Sequence, residues 1–284
     1  YSALLVVFIA GIPEGLFPFL KRKYEQTERW VKGESMGAIL EVQNIVKSFG
    51  GVLALNHVSF DVEEGSLLGI IGPNGCGKTT LVNVITGFLR PNGGRIRFKG
   101  KNITGKRPCR ITNMGLGRTF QMVKPFYRLP TYKNLIVPLS SPKVRGLGEH
   151  YGDKDTVAMD ILEEIGFERD SSVPLQPASV LPHGYLKRLE MARVMALQSD
   201  LILFDELYSG LSLAEVASMT PLIERLMKEG KTIVMIEHRL KELFRLADRV
   251  MVMDQGQIIA AGTSKEIMAD ESVQKAYLGV ELKR

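Results

Sequence analysis

GPNGCGKTT, residues 72–80, decides how the rest of this chain is read. It fits the pattern G-x-x-x-x-G-K-[ST] at Gly72, Gly77, Lys78 and Thr79. Pro73, Asn74, Gly75 and Cys76 fill the loop, and a second threonine stands at Thr80. Glycines let successive backbone N–H groups curl around an anion, the lysine reaches β- and γ-phosphates, and the first hydroxyl can ligate Mg²⁺. The motif requires a strand before the loop and a helix after it. Ser66 to Ile71 is a short apolar run ending at Gly72, and Leu81 to Ile85 continues with helical character. The segment therefore points to a nucleoside triphosphate and Mg²⁺ in an α/β fold.

Composition sets the bounds. A chain of 284 residues with 45% hydrophobic content can bury one substantial core or two modest ones. The two cysteines, Cys76 and Cys109, form no metal-ligand cluster and no disulfide framework, which fits a reducing cytosolic setting. A net charge of +6 permits an anionic ligand or a membrane surface without demanding nucleic acid.

The first twenty residues are almost wholly apolar apart from Glu14, and Lys21, Arg22 and Lys23 come directly after them. A signal peptide would carry its basic residues first. A buried core helix would be interrupted by Pro13 and Pro18. The favoured expectation is the end of a transmembrane helix whose earlier part is missing, with a polar linker running on to Gly37. The basic cluster then places the downstream chain in the cytoplasm.

Further along, Leu201 to Phe204 reads as a buried parallel strand that delivers Asp205 and Glu206 at its carboxyl end. There Asp205 would hold Mg²⁺ and Glu206 could polarise a water aimed at the γ-phosphorus. A second apolar strand, Thr232 to Ile236, ends at Glu237 and His238, which favours a γ-phosphate contact for the imidazole over a merely structural one. Between the two, Leu186, Leu189, Ala192, Arg193 and Ala196 recur at helical spacing, so a helix is expected to begin near His183 and Gly184.

Taken together, these elements resemble the ATP-binding-cassette ATPases from Ala38 to the C-terminus. The order matches: phosphate loop, Gln121 in RTFQ as Q-loop, Leu181 to Tyr185 as signature, Asp205 and Glu206 as the Walker B acids, Gly210 to Ser212 as D-loop, His238 as switch histidine. GLGRTFQ (115–121), the segment from Ile236 to Thr263 and the terminal AYLGVE look like the branched-chain amino-acid uptake subgroup, and IPEGLFPFL resembles the close of a permease subunit of such systems.

The resemblance implies a P-loop NTPase with a RecA-like mixed sheet, an antiparallel β subdomain and an α-helical subdomain at about 110–198, with 1–37 as a permease-like remnant. It implies ATP and Mg²⁺ as cofactors, the metal contacted by Thr79, Gln121 and Asp205. Glu206, His238 and Gln121 would carry hydrolysis, and Phe49 would stack on adenine unless it merely fills the β-layer. Two cassettes, identical or different, would face head to tail, so that Pro182, His183, Gly184 and Tyr185 meet the partner's nucleotide. Membrane permease subunits and, indirectly, a periplasmic or lipid-anchored solute-binding protein complete the expected system at the cytoplasmic face of the inner membrane. Pro182 stands where the family has Ser, His183 and Tyr185 flank the retained glycine, Leu207 replaces Pro, and Ser212 replaces Asp or Asn. Each departure would weaken one contact across the dimer. The alternatives are a lipopolysaccharide-export ATPase or a weakly hydrolysing regulatory cassette. Nucleic-acid-directed relatives carry coiled-coil insertions, paired cassettes or zinc cysteines, which this sequence lacks.

Overall fold

The computed structural model describes residues 37–146 and 153–274. The apolar tail and linker, Gly37 apart, and the AYLGVE stretch lie outside the described residues. Among the described residues no helix is long and apolar enough to cross a membrane.

In chain order the main elements are β1 (Ala38–Phe49), β2 (Val52–Glu63), β3 (Leu67–Ile71), α1 (Lys78–Ile85), β4 (Gly93–Phe98), β5 (Lys101–Asn102), α2 (Pro108–Asn113) and β6 (Leu116–Arg118). Next come α3 (Lys154–Glu164), α4 (His183–Ala196), β7 (Leu201–Asp205), α5 (Leu213–Lys228), β8 (Thr232–Ile236), α6 (Leu240–Leu246), β9 (Arg249–Asp254) and β10 (Gln257–Gly262). Two sheets result. One has the order β2-β1-β4-β5 and is antiparallel; the other has the order β10-β9-β3-β8-β7-β6. In the second sheet β9, β3, β8, β7 and β6 run parallel and β10 antiparallel, the mixed sheet that was expected.

Strand chemistry explains this division. β3, β7 and β8 are buried at every position, as strands covered on both faces must be. In β1, Leu40 and Val42 are buried while Gln43 is exposed, the alternation of a half-covered antiparallel strand. One apolar cluster joins the antiparallel sheet, α1 and the central sheet; a second packs α5 and α6 on the opposite face. A third, with Leu135, Leu162, Phe167, Leu189 and Ala196, forms the helical part. Helix α4 serves both of the last two: Met191 and Val194 pack on the sheet side, Leu189 and Ala192 on the helical side.

The segment at about 110–198, expected as the helical subdomain, also contributes an edge strand to the central sheet. Leu116–Arg118 pairs in parallel with Leu201–Leu203. Three residues are too few for an alternation to register, and the run contains a glycine. Because parallel strands share a direction, Ile71, Arg118, Asp205 and Ile236 all end on one edge, the edge where such sheets place ligands.

Candidate active site

The phosphate loop crosses from β3 to α1. Gly72 and Gly77 have φ of 153° and 107°, and Gly77 precedes α1 with no side chain capping the helix. The first turn of α1 holds no acid, so its N–H groups and positive dipole end remain directed at an anion. The Lys78 ammonium is buried and folds into the loop, donating to Gly72 O at 2.7 Å and Pro73 O at 3.0 Å, with Cys76 Sγ at 3.7 Å. Burial pushes the Cys76 thiol up, against the pull of Lys78. A Cβ at Gly77 would lie 2.5 Å from Ala54 O, so strand β2 packs directly against the loop. Phe49 stands close by, at the turn end of the β1–β2 hairpin where it pairs with Val52, solvent-exposed, with the Lys47 ammonium 4.9 Å from its ring centre. The β-layer does not enclose this ring, which leaves it free to stack on a ligand.

Three of the expected side chains converge at the carboxyl edge. Gln121 Nε2 donates to Glu206 Oε2 at 2.7 Å, and His238 Nε2 lies 3.1 Å from Glu206 Oε1. Glu206 itself has φ 51°, the left-handed region that non-glycine residues rarely adopt. A carboxylate held between an amide and an imidazole can orient and accept a proton from a water in front of it.

Asp205, one residue earlier, is fully buried. Its Oδ2 accepts from Arg118 Nη2 at 2.7 Å, while Oδ1 has no hydrogen-bond partner. Mg²⁺ prefers oxygen donors and is commonly held by one or two protein oxygens together with substrate phosphates and water. The free Asp205 Oδ1, the exposed Thr79 hydroxyl at the start of α1 and the side chain of Gln121 fit that requirement. Among the described residues no group of three or more His, Cys, Asp or Glu is placed to hold a metal ion.

Arg118, Lys187 and Glu237 are site residues that the sequence reading passed over. Arg118 also donates to Asn83 Oδ1 at 2.6 Å and lies against Phe88 and Phe120, themselves packed edge to face. Burial pulls its pKa down, with Asp205 opposing. Lys187, 1% exposed, donates to Gln121 O and Glu206 O. Burial lowers its pKa too, and Glu237 leads the carboxylates that hold it up. A detectable signal existed for it: Gly184, Lys187, Met191 and Val194 share one buried stripe of α4, so this lysine interrupts an apolar face.

Glu237 continues the buried run of β8 and accepts from Tyr208 N at 2.9 Å. Burial pushes its carboxyl up to about 7, only partly offset by the Tyr208 N–H and Lys187, and the Glu206 charge adds to the rise. The folded state therefore holds this proton more tightly than the unfolded chain. The resulting stabilisation is complete below the unfolded value of 4.5 and is lost as pH rises through about 7. Glu237→Gln keeps the acceptor and removes the charge. Urea unfolding of this variant is expected to lose the wild-type decline between pH 5 and pH 8, a difference of about 3 kcal/mol over the full window. Parallel pH profiles for the two proteins would show that Glu237 titrates normally.

At the expected signature, Pro182 and His183 are exposed and Gly184 is buried against Glu215, whose Oε1 would lie 2.1 Å from a Cβ there. Tyr185 is partly buried, its ring packing edge to face on Phe167 at 4.9 Å against the helical cluster. Leu207 is buried in the second core cluster. Ser212 caps α5 in a reciprocal box with Glu215.

Residues 55–209 match the ABC transporter family, and residues 257–283 match the family described as branched-chain amino acid ATP-binding cassette transporter. The chain is 36% identical over 252 residues to the high-affinity branched-chain amino acid transport ATP-binding protein BraF of Pseudomonas aeruginosa, covering 85% of this chain and 98% of that one. Among solved structures it is similar to the ADP conformation of MJ1267, an ATP-binding cassette of an ABC transporter. There the identity is 34% and the TM-score 0.74, with 86% of this chain and 99% of the other covered. A dimeric cassette, MJ0796, shares the fold at 22% identity and a TM-score of 0.70, over 79% of this chain and 98% of its own.

Proposed function

The chain belongs to the ABC transporter family, and from that premise we propose that it is the ATP-hydrolysing subunit powering uptake of branched-chain or related amino acids. The observation that carries the catalytic part is Glu206 held between Gln121 and His238 beside the uncapped start of α1. The solute is supported by the matched segment 257–283 and by relatives such as BraF.

In this reading the loop N–H groups of 72–80 and the Lys78 ammonium bind the phosphates, and the Phe49 ring stacks on adenine. Thr79, Asp205 and Gln121 hold Mg²⁺, which supplies charge neutralisation at the phosphate oxygens. Gln121 and His238 orient the Glu206 carboxylate, which takes the proton of the attacking water. His238 also donates toward the γ-phosphate. A second cassette presents its 182–184 turn to complete the site, with its Tyr185 held back in packing. The protein works at the cytoplasmic face of the membrane, docked on permease subunits through the helical part and served indirectly by a solute-binding protein. Residues 1–37 would be the end of a permease-like segment joined to the cassette.

Vesicles reconstituted with the full chain, its membrane subunits and a solute-binding protein are expected to accumulate radiolabelled leucine only when supplied with Mg²⁺ and ATP. ATP hydrolysis without uptake of leucine, isoleucine or valine would overturn the solute and leave the ATPase standing.

A further inference from the structure

Helix α4 enters the active site from outside the phosphate-binding elements. Its Lys187 ammonium, almost wholly buried, lies 3.0 Å from Gln121 O and 3.1 Å from Glu206 O. The side chains of those same two residues meet at 2.7 Å. A closed ring therefore runs from Lys187 through the Gln121 backbone and side chain, across to the Glu206 side chain and backbone, and back to the ammonium. Buried lysines ordinarily sit on a carboxylate. Here the ammonium is placed on two neutral carbonyls, which leaves the Glu206 carboxylate to Gln121 and His238.

The Glu206 backbone makes this placement consequential. A residue in the left-handed region persists only where its surroundings over-determine it. Glu206 is fixed at φ 51° from both sides, its N–H donating to Ile236 O at 2.9 Å and its C=O accepting from Lys187. Six residues further along α4, Arg193 donates to Lys124 O at 3.1 Å and lies 5.6 Å over the Phe126 ring. The helix thus grips the 121–126 loop at two points, while its start exposes Pro182, the N-cap, and His183.

We propose that Lys187 is a positioning residue for hydrolysis: it sets the Gln121 and Glu206 backbones so that their side chains meet, and so makes the competence of this site depend on where α4 lies. The inference rests on the ATPase reading above. A shift of α4 at its exposed start, where a second cassette would engage, displaces the ammonium and with it both catalytic backbones.

The test uses the full chain and its Lys187→Met, Lys187→Gln and Lys187→Arg variants, with steady-state Mg·ATP hydrolysis, ATP binding by equilibrium dialysis, and thermal midpoints. Lys187→Met is expected to lower kcat 10- to 100-fold with KM and ATP affinity changed less than about twofold, and Lys187→Arg to recover most of the loss. If Lys187→Met does not fold, Lys187→Gln, which retains a neutral donor, is read in its place with the same expected kcat-only loss. Unchanged kcat, a parallel loss of ATP affinity, or an arginine variant no better than the others would overturn the proposal. A wild-type chain that binds ATP without hydrolysing it would overturn the ATPase reading and this inference with it. Wild-type activity with indifferent variants would remove this inference alone.

Discussion

Glu206→Gln is expected to lower the ATPase turnover of the full chain by about 10²- to 10⁴-fold, the range for removing a positioned general base, while ATP still binds. Geometry supports this separation. Glutamine has the volume of glutamate and can keep contacts with Gln121 Nε2 and His238 Nε2, now at 2.7 Å and 3.1 Å from the two carboxylate oxygens. Lys187 bonds the Glu206 carbonyl rather than its side chain, so the backbone hold survives as well. What disappears is a group able to accept a proton. Loss confined to kcat identifies the carboxylate as a base, whereas equal rates for wild type and variant would remove Glu206 from that role.

Gly72→Ala is expected to destabilise the fold by about 3 to 5 kcal/mol, combining backbone strain with overpacking. At φ 153° a Cβ would lie 2.1 Å from Met253 O and 2.7 Å from Cys76 Sγ. The first contact is with the backbone of β9, next to β3 in the central sheet, so no rotamer change relieves it. Gly75→Ala provides the control. Its φ is 81°, and nothing lies within 4 Å of the added methyl, so only the left-handed penalty of about 1 to 2 kcal/mol applies. Urea unfolding of the two variants separates the terms, and equal midpoints would show that β9 can move away from the loop.

Where the sequence was legible, one stretch of chain carried the whole signal. β3, β7 and β8 are continuous apolar runs, the phosphate loop is a single nonapeptide, and Glu206 and His238 lie just past the ends of strands. What escaped depended on distant partners. Lys187 is 66 residues from Gln121, and Arg118 is 87 from Asp205, so their burial becomes sensible only once the carbonyls and the carboxylate are placed beside them. The unusual residues show a related limit. Leu207 and Ser212, expected to weaken contacts with a partner, have roles within the chain that the sequence did not disclose: one fills the core and the other caps α5. Tyr185 likewise serves packing within its own chain.

Lys78 already has partners of its own: two carbonyls of the loop it belongs to. A phosphate arriving there does not meet an unoccupied charge. It enters an exchange, in which the ammonium trades carbonyl oxygens for phosphate oxygens within a loop whose curvature is preset. The affinity is then the difference between two sets of hydrogen bonds, smaller than either. In the proposed ATPase cycle that subtraction would favour product release, because Lys78 would have its two loop carbonyls to return to.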